Sequence, residues 1–70
     1  MKFYKVIYTI KQISPYGLGE REVTEYMTAR DKDDIINTCK RRFGKLLIQI
    51  QYKEINEKRI PKGTSIYVAL

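Results

Sequence analysis

The stretch "CKRRFGK", residues 39–45, packs four cations around one Phe and one Gly, a composition able to grip phosphate. Spacing argues against a converging grip. Successive helical residues point about 100° apart, so Lys40, Arg41 and Arg42 would aim in three directions, Arg41 almost straight to solvent. Three such cations form a collar at a helix C-terminus, where the negative end of the macrodipole favours them by roughly 0.3–1 kcal/mol each. The long side chains of Arg41 and Lys45 could still extend a phosphate footprint begun elsewhere.

The acidic trio Asp31, Asp33 and Asp34 has the charge for a divalent cation but no second cluster to close a coordination shell. An N-cap and a first-turn dipole complement account for all three, so no metal site is expected. Glu20, Glu22 and Glu25 are expected to pair with cations on neighbouring strands rather than act as acid or base catalysts. The chain has no His and a single Cys, which excludes an internal disulfide and a zinc site of the usual Cys/His kind. Cys39 would have only Lys as an activating base, and its spacing puts it on a buried stripe, where free Cys behaves as a small hydrophobe. "GLG" (17–19) lacks the strand-then-helix context of a phosphate loop and reads as turn chemistry. No cofactor and no catalytic activity are expected.

The elements that must position these residues follow from periodicity. Tyr4, Val6, Tyr8 and Ile10 alternate through "KFYKVIYTIKQI", a strand signal. "SPYGLG" is a turn, and "EREVTEYMTA" returns as a second strand with Val23, Met27 and Ala29 on one face, making a hairpin. "RDKDDIINTCKRRFG" is a helix with Asp31 as N-cap, an apolar stripe of Ile35, Ile36, Cys39 and Phe43, and Gly44 as its left-handed stop. "LLIQIQYKEI" is a third strand, with Leu46, Ile48, Ile50 and Tyr52 on one face. "IPKG" is a turn with Pro61 at its second position, and "TSIYVAL" a fourth strand in which Ile66, Val68 and Leu70 alternate.

The order ββαββ with one helical stripe predicts an α+β two-layer sandwich: a four-stranded, mainly antiparallel sheet with one helix packed on one face. Strands one and three are expected side by side in the centre, with the uncharged run "LLIQIQY" guarded by Lys45 and Lys53. The sheet face away from the helix would then carry Phe3, Lys5, Ile7, Thr9, Lys11, Tyr26, Gln49, Gln51, Lys53 and Tyr67. Aromatics interleaved with Lys, Gln and Thr suit single-stranded nucleic acid, which stacks its bases on rings and lays its backbone along cations.

Seventy residues bound the chain to one domain, 1–70. Fourteen Lys and Arg against eight Asp and Glu give a net charge of +6, which draws polyanions. No run approaches the ~18 apolar residues of a membrane span. "MKFYKVIYTI" is interrupted by Lys5 and does not read as a signal peptide. One free thiol fits a reducing compartment, so a cytoplasmic location is expected.

"KFYKVIYTI", the "TA" before the helix and "IQIQYKEI" resemble the archaeal large-subunit ribosomal protein LX family in strand alternation, and no family is assigned on that ground. The Lys-, Ile- and Tyr-rich composition is also similar to that of small phage and mobile-element proteins, many of which bind and block a host protein. The reading is a small basic, non-enzymatic domain that binds nucleic acid. Lys5, Lys11, Lys53, Arg59, Lys62 and Tyr67 would form the surface, with Arg41 and Lys45 at its margin. The alternative is an interaction protein that docks an acidic host protein. The chain would act as a monomer, or as a homodimer through the exposed sheet face.

Overall fold

The computed structural model describes residues 1–69; Leu70, the last residue of the expected fourth strand, lies outside them. The hairpin forms as its alternation predicts. β1 (Lys2–Ser14) and β2 (Gly17–Ala29) pair antiparallel from Lys2↔Ala29 to Ser14↔Gly17. The expected six-residue turn shrinks to Pro15 and Tyr16, because Gly17 at φ +124° reverses the chain in a conformation that side-chain-bearing residues avoid.

The helix α1 (Lys32–Phe43) starts where Asp31 caps it. The Asp31 carboxylate accepts hydrogen bonds from the backbone N–H of Asp33 (3.0 Å) and Asp34 (3.2 Å). Gly44 ends it at φ +54° and donates its N–H to the Lys40 carbonyl; its ψ of −123° lies outside the left-handed helical well that the sequence suggests. A single turn, Gly44–Leu46, leads into β3 (Leu47–Ile55), and a second, Glu57–Arg59, leads out of it. β4 (Ile66–Val68) closes the sheet.

The strand order is β3-β1-β2-β4, so α+β with one helix on one face stands. One expectation is corrected: β3 lies beside β1 but at the sheet edge, and only β1 and β2 are interior. β4 runs parallel to β2, making the sheet mixed. Two parallel crossovers result. β2 reaches β3 through α1, moving one way across the sheet, and β3 reaches β4 through residues 56–65, moving the other way. Parallel crossovers are right-handed almost without exception, so opposite directions of travel put the two connections on opposite faces. The sheet face away from α1 is therefore crossed at one end.

Tyr4, Val6 and Tyr8 of β1 pack with Met27 and Ala29 of β2, Ile35 and Cys39 of α1, and Ala69 to form the core. Each large apolar side chain buried there contributes about 1.5–3 kcal/mol. Thr38 is buried beside Cys39, while Ile36 and Phe43 are only half-buried, so the helix faces the sheet slightly differently from its apolar stripe. A second correction concerns β3. Thr9 opposes Gln49 and Ile10 opposes Leu47, leaving Ile48 as a bulge. The extra residue reverses sidedness, so Leu47 packs against the core while Leu46 and Ile48, expected inside, are exposed.

Candidate nucleic-acid interface

Pairing register assembles the face away from α1 row by row. Lys53, Lys5, Tyr26 and Ile66 lie in one line across all four strands, because Lys5 opposes both Lys53 and Tyr26, and Tyr26 opposes Ile66. The neighbouring row is Ile55, Phe3, Thr28 and Val68. Thr28 is only 9% exposed, and Phe3 beside it is half-buried, although neither lies under the helix. The crossover of residues 56–65 accounts for that cover, since its Arg59 comes onto this face.

Lys5, Lys53 and Arg59, with Tyr26 and Ile55, line one depression of about 230 Å³. No carboxylate lines it among the described residues. The ion pairs among the described residues, Lys2–Glu54 (3.8 Å), Arg30–Asp34 (3.0 Å) and Arg42–Glu25 (2.9 Å), lie outside this depression and engage none of the three cations. Lys5 and Lys53 face each other directly across the β1–β3 ladder. Like charges so placed destabilise a sheet by roughly 0.2–1 kcal/mol, a cost that an anion bound between them would remove. The β1–β3 seam continues through a second depression lined by Lys5, Ile7, Gln51, Tyr52 and Lys53. Lys11, six residues or about 20 Å along β1 from Lys5, lines a third with Leu18, Gly19, Glu20 and Ile48.

Of the expected surface residues, Lys5, Lys53 and Arg59 are brought together, Lys11 lies on the same face, and Lys62 sits exposed in the crossover turn. Three are not part of this surface. Tyr67 opposes Met27, a core residue, and therefore points to the helix side; even-numbered Ile66 and Val68 take the other face. Arg41 belongs to the helix layer, and Lys45 to the turn that follows it. The aromatic ring that replaces Tyr67 is Tyr26, whose even number in β2 already placed it on this face.

Arg42 is committed elsewhere. Its guanidinium donates to both carboxylate oxygens of Glu25, at 2.9 and 3.3 Å, and stacks 4.4 Å from the Tyr67 ring centre and 5.0 Å from that of Phe43. The Tyr8 hydroxyl donates to the same carboxylate. Burial pushes the Glu25 carboxyl up, but hydrogen bonds from Arg42 and Tyr8 outweigh it and hold the group below its ordinary value. Burial and the neighbouring carboxylate raise Tyr8 to about 12. Of the four cations in the opening stretch, Arg42 is thus structural: it ties the helix end to β2 through Glu25 and to β4 through Tyr67.

No group of His, Cys, Asp and Glu able to hold a metal ion occurs among the described residues. No helix there is long and apolar enough to cross a membrane. Comparison with protein-family models, curated proteins and solved structures finds no significant match.

Proposed function

We propose that this chain is a small basic, non-enzymatic domain that binds nucleic acid, single strands in preference to duplex, through the sheet face away from α1. The observation that carries the reading is the depression where Lys5 and Lys53 oppose each other, joined by Arg59, beside the Tyr26 ring. Three cations without a carboxylate among them suit a phosphate, and the adjacent ring offers a surface to an unstacked base. Duplex hides its base faces within the stack, so the ring favours single strands. The seam from Lys5 towards Lys11 supplies a track for the backbone.

Fluorescence anisotropy with a labelled oligothymidylate and a duplex of equal length tests the proposal. Tyr26→Ala is expected to weaken the single strand by about 1–3 kcal/mol, the usual range for base–ring stacking, and the duplex far less. Absence of binding by either form at low salt would overturn the reading. It would favour instead a protein partner that adds a strand to the outer edge of β3, nine residues long and uncharged from Leu47 to Tyr52.

A further inference from the structure

Resting on that reading, we infer that the depression formed by Lys5, Lys53, Arg59 and Tyr26 receives the terminal phosphate of a strand, a phosphomonoester, rather than an internal phosphodiester. Two observations lead there. The first is charge. Three cations line one depression of about 230 Å³ with no carboxylate among its described lining residues. An internal phosphodiester brings about one negative charge to such a site, whereas a phosphomonoester brings about −1.5 to −2 at neutral pH and three acceptor oxygens. The terminal group is the better match in both charge and acceptors.

The second is shape. From the cations the β1–β3 seam continues past the uncharged Ile7 and Gln51 towards Lys11, which shares its depression with Glu20. At its other end β3 passes into the crossover, whose Arg59 reaches this face and whose right-handed connection carries it across the sheet, and there Thr28 is buried and Phe3 half-buried. A strand laid on the seam therefore meets a wall at the point where the cations converge. A groove closed at its most cationic end is built for a chain end, while a groove that passes an internal phosphate is open at both ends. Tyr26, in the same depression, is placed to stack the terminal base beside its phosphate.

The test compares four single strands by anisotropy in competition: a short oligothymidylate with hydroxyls at both ends, the same strand with a 5′-phosphate, the same with a 3′-phosphate, and a hydroxyl-ended strand one nucleotide longer. The longer strand carries the extra charge as a phosphodiester. One phosphorylated strand is expected to bind about tenfold more tightly than both hydroxyl-ended strands, in keeping with the strength of charge-assisted hydrogen bonds to phosphate; which one it is identifies the end recognised. Arg59→Gln, at an exposed position in the turn, should cut that preference to about twofold or less, with an unchanged far-ultraviolet circular dichroism spectrum confirming the fold. Equal binding of all four strands would overturn the terminal-phosphate inference while leaving nucleic-acid binding in place. A preference that survives Arg59→Gln would also overturn it, since the closed end would not be what reads the phosphate. Failure of every strand to bind would overturn the inference together with the reading on which it rests.

Discussion

Glu25 and Arg42 show how a side chain's neighbours decide its chemistry. Glu25 is held below its ordinary carboxylate value, so the stability it contributes is complete above the unfolded value near 4.5 and is lost as pH falls through the lower folded one. Tyr8 has the opposite sign. Its folded value is raised from 10.0 to about 12, so its contribution is complete below pH 10.0 and disappears as pH rises towards 12. Spectrophotometric titration should show one of the six tyrosines ionising well after those that are exposed. Glu25→Ala leaves the Tyr8 hydroxyl and the Arg42 guanidinium without their acceptor and should cost about 1–3 kcal/mol in chemical denaturation. A loss near zero would mean that the helix end is held by packing alone. Cys39 is buried, and burial pushes its thiol up, so thiol reagents should reach it only as fast as the protein opens.

At the scale of elements, most of the architecture was legible, and the reasons for the exceptions are specific. Alternation in β1 and β2 placed Tyr4, Val6, Tyr8 and Met27 correctly because both strands are long and one face of each is buried. In β3 alternation held for Ile50 and Tyr52, which oppose the core residues Tyr8 and Val6, and failed only at Leu46 and Ile48, because a one-residue bulge at Ile48 reverses sidedness without any signal in composition. It failed in β4 because a strand of three residues takes its facing from the partner it pairs with, here Met27, rather than from its own pattern. The turn near Pro61 is also shifted by one residue. The Thr64 N–H reaches the Pro61 carbonyl at 3.3 Å, which makes Pro61 the first position and puts Gly63 at φ +81° in the third. Hydrogen exchange separates the strand orders. β1, paired on both sides, should hold the slowest amides, while β3 at the edge should alternate between protected and fast. Uniformly slow exchange across residues 47–52 would contradict an edge position. Phe43 lies 4.8 Å from Tyr8 between ring centres but is only half-buried, so Phe43→Ala should cost about 2–3 kcal/mol, below the usual range for a fully buried Phe.

For the whole molecule, two crossovers of the same hand, travelling in opposite directions, cover one sheet face with a helix and leave the other crossed only at its end. The candidate site is the corner formed there. Its charges were legible in the sequence as Lys5, Lys53 and Arg59, but their convergence was not, because it depends on residues 56–65 spanning three strand spacings, about 14 Å, on that particular face. A site of opposed cations is also a weak point of the fold. Lys5→Gln combined with Lys53→Gln should raise the melting temperature slightly at low salt, by the equivalent of roughly 0.2–1 kcal/mol, an effect that screening removes at high salt. The same double variant gives the most direct test of the account, through the salt dependence of single-strand affinity. Lys5, Lys53 and Arg59 converge on one phosphate and Lys11 meets another, so about two phosphates are neutralised. Log K against log salt should fall with a slope near −1.5, and the double variant, which strips the first site of two of its three cations, should bring it towards about −0.7. Arg41→Ala, in the helix layer, should leave the slope unchanged. A slope that is the same in the double variant and reduced by Arg41→Ala would contradict the account and return the phosphate grip to the helix end.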